Sequence, residues 1–237
     1  MMLALLTALL SSCIEGDEEI FLNADGSARM KVMYSLPALL LSSSDAESLK
    51  KNIQDGLGND DRIELLKNTV EKIDGKQVIT IEVATANLLE LEGFMDEGSG
   101  PDDEEREKGK SEQIVEALLG ECLVNRSGLS ADIQRKIDLA PLLDKHAGGN
   151  WPSMVGDSEF RYTVHFPTAV DASNAHEVSN DGKTVMWKYK LRDLREKPIE
   201  LNVSATVPLP WWVYVSVALI GLIVILIGWK LIRRKTA

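Results

Sequence analysis

The residue types that ordinarily do chemistry are few in this sequence, and they are scattered. His146, His165 and His176 have no second His or Cys within four positions, whereas a zinc site needs such ligands clustered. His165 alternates with Tyr162, Val164 and Phe166 and falls on the polar side of that stretch, so a surface histidine is expected there. Asp102-Asp103-Glu104-Glu105 gathers carboxylates but lacks the turn glycine and spaced donors of a calcium loop, so it reads as a solvated charge run. Cys122 follows Ile114 and Leu118 at intervals of four, which places it on an apolar helical stripe as a small buried hydrophobe. No basic residue lies within three positions of it to activate the thiol, Arg126 being one turn away. A nucleophile elbow, a Walker loop and a dinucleotide glycine fingerprint are all missing. The sequence therefore supplies no catalytic residue, metal ligand or cofactor site, and no enzyme is expected.

Cys13 is different. It ends the stretch Leu3-Ala4-Leu5-Leu6-Thr7-Ala8-Leu9-Leu10-Ser11-Ser12, an apolar run closing in small residues like an export signal and its cleavage site. Leu10-Ser11-Ser12-Cys13 resembles a bacterial lipobox, in which the thiol is acylated and the cysteine becomes the mature N-terminus. Cys13 is accordingly the expected lipidation site. No Lys or Arg precedes the apolar run, and it is short for a signal; both follow if the true start codon lies upstream. With Cys13 consumed, Cys122 has no intramolecular disulfide partner. A bacterial source also makes the glycosylation triplet Asn125-Arg126-Ser127 irrelevant.

The other end carries the strongest signal. After Pro208 and Pro210, Trp211 to Trp229 runs 19 residues without a charge. At ~1.5 Å rise per residue such a helix is about 28 Å long, close to the ~30 Å hydrocarbon core, and it satisfies its own backbone hydrogen bonds. Trp211, Trp212 and Tyr214 at one end and Trp229 at the other form membrane-interface belts. Lys230, Arg233, Arg234 and Lys235 set the topology, placing the C-terminus in the cytoplasm and the main domain outside. A spanning helix outlasts a single acyl chain as an anchor, so residence in the bacterial cytoplasmic membrane is expected.

Between the anchors, residues 14–210 hold all 37 acidic side chains but only 22 of the 26 basic ones, a net charge of −15. That field repels anionic headgroups and polyanions, and no nucleic-acid partner is expected. Three Asp-Gly pairs, Asp25-Gly26, Asp74-Gly75 and Asp181-Gly182, sit between alternating apolar runs and read as two-residue hairpin turns. The runs are Ile20 to Leu22 and Met30 to Leu36, then Ile63 to Leu65 and Ile79 to Val83. The third pair follows Phe160 to Phe166 and precedes Val185 to Leu191; a last strand spans Ile199 to Val207. Such period-2 alternation with one wet face indicates antiparallel sheet. Helices are expected from Ser44, capped with Glu47, to Gly56 or Gly58; along the Ile114–Leu118–Cys122 and Val115–Leu119–Leu123 stripes; and from Ser130 through Ile133 and Ile137, stopping before Pro141.

Cys13 followed by Glu18-Glu19-Ile20-Phe21-Leu22-Asn23-Ala24-Asp25-Gly26-Ser27 resembles the start of bacterial LppM-type lipoprotein domains. So does the later block Phe166-Pro167, Asn174, Asp181-Gly182-Lys183 and Trp187, followed by a strand and a terminal apolar helix. Residues 96–156 are not matched. The resemblance implies a non-enzymatic envelope lipoprotein whose domain is similar to α+β lipid-binding folds, and it carries no ligand residues across.

The expected organisation is a lipoprotein-type signal peptide at 1–12, the first part of an exported α+β domain at 13–95 and an acidic linker at 96–111. The rest of that domain follows at 112–207, then the transmembrane helix at 208–230 and a basic cytoplasmic tail at 231–237. The fold class is α+β, an antiparallel sheet of about seven strands with helices on one face. Partners are membrane lipid through both anchors, together with an envelope protein or, alternatively, a hydrophobic ligand held between sheet and helices.

Overall fold

The computed structural model describes residues 14–38, 41–58, 60–87, 113–114, 117–118, 120–127, 130–147 and 158–206. The lipidation site Cys13, the signal peptide, the whole acidic linker, the transmembrane helix 208–230 with its interface residues Trp211, Trp212, Tyr214 and Trp229, and the basic tail lie outside the described residues. Among the described residues no helix is long and apolar enough to cross a membrane.

Eleven strands are present among the described residues, in two sheets, with two α-helices and a 3-10 turn. The strands are β1 (Glu15–Leu22), β2 (Ala28–Pro37), β3 (Glu64–Ile73), β4 (Lys76–Thr85), β5 (Glu121–Ser127), β6 (Ser130–Ile137), β7 (Glu159–His165), β8 (Val170–Ser173), β9 (Glu177–Val178), β10 (Thr184–Lys190) and β11 (Ile199–Thr206). The first sheet has seven strands in the order β3-β4-β2-β1-β7-β10-β9, and the second has four in the order β5-β6-β11-β8. The α+β class and the seven-strand sheet agree with the alternation, but the sheet is mixed. β1 and β7 run parallel, from Gly16↔Phe160 to Phe21↔His165. Parallel neighbours need a long crossover, and here the intervening chain builds β2 to β6. Period-2 patterning fixes which face a residue occupies but not which strand lies beside it.

The three Asp-Gly turns differ. Only Asp74 (φ 50°) and Gly75 (φ 80°) both take positive φ, closing β3 on β4 as a two-residue hairpin. At the first pair only Gly26 is left-handed (φ 89°): Gly26 N–H donates to Asn23 O and Asn23 N–H donates to Ser27 O, a type I turn with a glycine bulge. Asp25 there caps Ser27 N–H instead, at 3.0 Å. The third turn joins β9 to β10, not β7 to β10, because the chain leaves β7 to add β8 to the second sheet. β7 and β10 still pair antiparallel.

Two helical expectations are corrected. Ile114 and Leu118 are helical as expected, but Cys122 and Leu123 belong to β5, and Ser130 to Ile137 is β6. A spacing of four places two residues on one face of a helix and equally on one face of a strand, so those apolar pairs did not discriminate. The helix after them starts where the sequence predicted a stop. α2 (Ala140–Ala147) accepts Pro141 in its first turn, where a missing N–H costs nothing, and Asp138 Oδ1 accepts from Ala140 N–H at 3.1 Å. α1 (Ser43–Leu57) is capped by Ser42, whose Oγ accepts from Asp45 N–H at 3.2 Å, two residues before the expected cap.

Both sheets and α1 turn their apolar faces into one core. Phe160, Tyr162, Val185, Trp187, Leu191, Ile137, Ile199 and Leu201 are buried there, and α1 adds Ala46, Leu49 and Ile53 beside Ile79. β1 is central to its sheet, and Gly16 lets it pass close to Phe160: a Cβ at that position would sit 2.3 Å from the ring.

Candidate functional site

The interior holds one charged cluster among the described residues, and it joins the two sheets. β1 directs Gly16, Glu18 and Ile20 inward, and β6 directs Ile133, Arg135 and Ile137 inward from the facing sheet. Glu18 is 1% exposed and the Arg135 side chain 11%. Arg135 Nη1 donates to Glu18 Oε2 at 2.6 Å and Nη2 to Oε1 at 3.3 Å, a two-pronged pair. Nη2 also donates to the Leu118 carbonyl at 2.9 Å, and the guanidinium lies 5.6 Å from the Tyr162 ring centre. The Tyr34 hydroxyl, from β2, donates to Glu18 Oε1. The Tyr162 hydroxyl is buried without a hydrogen-bond partner.

Burial opposes ionisation of both tyrosines, and the Glu18 carboxylate adds to it. Both phenols are therefore held well above the ordinary tyrosine value, with Arg135 pulling the other way. For Arg135 burial favours the neutral form, but the Glu18 charge and hydrogen bond outweigh it and the guanidinium is held above its ordinary value. Both Glu18 oxygens and both terminal nitrogens of Arg135 meet other groups of the protein, so the cluster is suited to fixing β1 against β6.

Beside it lies a cavity with about 30 Å³ of space accessible to a water-sized molecule. Its wall is entirely apolar, including Ile14, Leu36, Ile114, Leu143, Phe160 and Leu191. Sites for small organic ligands usually measure ~300–1,000 Å³.

The sequence-predicted residues fall apart in space. His165 is on the outer face of the first sheet, as the alternation implied, but it is not alone. Its ring stacks on Phe21 at 4.4 Å, with Nε2 3.1 Å from Glu19 Oε1 and Nδ1 3.0 Å from Thr184 Oγ1. His176 accepts Lys188 N–H on Nδ1 at 2.9 Å and meets Tyr189 edge-on at 5.0 Å. Among the described residues no group of three or more His, Cys, Asp or Glu could hold a metal ion. Of the four aromatics that the alternation assigns to the sheet core, Phe160, Tyr162 and Trp187 are buried, whereas Tyr189 is half-buried and packs at its edge.

Asn174, noted in the sequence only as a motif position, ties Trp187 of the first sheet to the second sheet. Asn174 Oδ1 accepts from Trp187 Nε1–H at 2.7 Å and from Asn202 N–H at 2.9 Å, while Nδ2 donates to the Glu200 carbonyl at 2.9 Å. Glu18 and Arg135 were missed as a pair. The available signal was a charged residue on the inward register of each of two otherwise apolar-inward strands, acidic on one and basic on the other.

The fold and this interior define an α+β domain of two facing sheets tied by a buried ion pair and by the exposed Asn174. No family model matches the chain, and no curated protein matches it. Among solved structures, the NMR structure of the folded domain of Mycobacterium tuberculosis LppM is similar over 83% of this chain and 91% of that one, with a TM-score of 0.48 and 15% identity. The likeness is weak, and no residue, ligand or activity is carried over from it.

Proposed function

We propose that this chain is a non-enzymatic, membrane-anchored bacterial envelope lipoprotein whose extracytoplasmic domain acts by contact with another protein or as structural support. The anchors are those read from the sequence: acylated Cys13 and the 208–230 helix. The observation that carries the contact role is the small size of the cavity found among the described residues. A cavity of about 30 Å³ has room for roughly two or three waters, far short of a lipid chain. The buried charges are spent on each other, leaving the surface as the working part. Crosslinking in intact cells followed by affinity capture from gently solubilised membranes should return the same partner repeatedly. A particle that stays monomeric and uncrosslinked would overturn the reading.

One observation favours the alternative, a hydrophobic-ligand binder: the cavity wall is apolar throughout. Native mass spectrometry of the purified protein separates the two. Bound lipid at fixed stoichiometry supports the binder.

A further inference from the structure

Four strands end the two sheets: β3 and β9 in the first, β5 and β8 in the second. β9 has two residues and β8 four, lengths that offer little backbone to another chain. β5 has seven and β3 ten. β3 also carries two of the six exposed large hydrophobics among the described residues, Leu66 at 44% and Ile73 at 47%. α1 meets β3 from its inner face, where Asn68 Nδ2 donates to the Lys50 carbonyl at 2.8 Å.

The hairpin decides which backbone groups of β3 point to the free side. Asp74 and Gly75 form a two-residue turn, so Ile73 and Lys76 close the ladder as a hydrogen-bonded pair. Bonded and non-bonded pairs alternate, so Glu71↔Val78 and Thr69↔Thr80 are bonded too. Asn68, Val70 and Lys72 therefore turn their N–H and C=O away from β4. A strand added at this edge must set its own outward residues opposite these.

A second β3 meets that condition, and charge chooses the register. Lys67 and Glu71 are exposed on the outer face, with Thr69 midway between them. In an antiparallel pair centred on Thr69, each Lys67 lies opposite Glu71 of the other copy and each Asn68 opposite Val70. Centring on Asn68 or Val70 puts Lys67 opposite Thr69 or Ile73 and loses both charge pairs. Centring on Lys67 or Glu71 sets like charges face to face, which is destabilising. Leu66 of each copy and Ile73 of the other come to the same end of the paired segment.

We propose that β3 docks on β3 of a second copy, antiparallel about Thr69, joining two seven-stranded sheets into one. This deepens the contact reading above, on which it rests, by naming a second copy as the partner.

Thr69 against Thr69 is a non-bonded pair with Cα atoms about 4.5 Å apart, inside the ~4.4–6.8 Å that a disulfide spans. Thr80, beside it on β4, is three strand spacings from its counterpart, about 14 Å at ~4.8 Å per strand. The full chain with Cys122→Ser and either Thr69→Cys or Thr80→Cys is mildly oxidised in intact cells and read on a non-reducing gel. A disulfide dimer at least about fivefold stronger from position 69 than from position 80 is expected. Adding Lys67→Glu to Thr69→Cys creates two like-charge pairs and should cut the dimer at least about threefold; adding Glu71→Lys as well should restore it. Equal dimer from both positions, or a charge-swapped chain that stays low, overturns the pairing. If position 69 gives no dimer while crosslinking still returns one other envelope protein, the pairing falls and the contact role stands. If neither returns a partner, both fall.

Discussion

Removing one half of the Glu18–Arg135 pair should cost far more than removing both. At an effective dielectric of ~20, two unit charges about 4 Å apart attract by roughly 4 kcal/mol, while desolvation costs several kcal/mol per ion. The intact pair, bidentate at 2.6 and 3.3 Å and supported by Tyr34 and the Leu118 carbonyl, therefore roughly balances. Arg135→Met leaves the Glu18 carboxylate at 1% exposure with only the Tyr34 hydroxyl of those partners. The expected loss is about 3–5 kcal/mol, a large part of the ~5–15 kcal/mol that holds a domain. Glu18→Gln should cost a similar amount by stranding the guanidinium. Glu18→Met with Arg135→Met together should be milder than either, with Tyr34 left lacking an acceptor at about 1–3 kcal/mol. The assay is urea unfolding of the full chain in mild detergent, followed by far-ultraviolet circular dichroism, for all four corners of the cycle. Single variants each within about 1 kcal/mol of the parent, or strict additivity, would refute the reasoning.

Four further outcomes are expected. Gly16→Ala drives a Cβ to 2.3 Å from the buried Phe160 ring and should cost about 1–3 kcal/mol in the same assay. Asn174→Leu strands the buried Trp187 Nε1–H and should cost about 1–3 kcal/mol, with a change in tryptophan fluorescence. On alkaline titration Tyr34 and Tyr162 should resist ionising in the folded state: their folded pKa values stand above 10.0, so the stability they contribute is complete below pH 10 and drains away above it. Their tyrosinate absorbance should then rise only together with unfolding. Deleting 211–237 should release the chain substantially from the membrane fraction, while Cys13→Ser should leave it there, as read by fractionation and immunoblot.

The acid limb has the opposite sign. Hydrogen bonds from Ser27 to Asp25, from Arg62 to Asp60 and from Ser179 and Lys183 to Asp181 hold those carboxyls below their ordinary value of 3.8. Their contribution is present above that pH and fades as it falls further.

The faces of the strands were legible in the sequence, and their partners were not. The alternation from Phe160 to Phe166 and from Val185 to Leu191 correctly named Phe160, Tyr162 and Trp187 as core, because burial on one face imposes period 2 directly. The β1–β7 pairing joins residues 144 apart, and no local pattern encodes it. β5 and β6 were misread because Ile133 and Ile137, four apart, satisfy both periods, and because Arg135 broke the apolar run between them. The same charge that hid the strand marks the interior tie: a buried ion is legible only once its counter-ion is across from it. Pro141 misled because proline stops a helix in its interior but opens one in its first turn.

The central claim, a C-terminal helix that holds an exported domain in the membrane, is tested most directly by protease added to sealed spheroplasts with detection of residues 231–237. The expected result is loss of the domain and survival of a short tail fragment that resists alkaline carbonate. An intact chain after digestion, or a tail fragment washed free by carbonate, would contradict it.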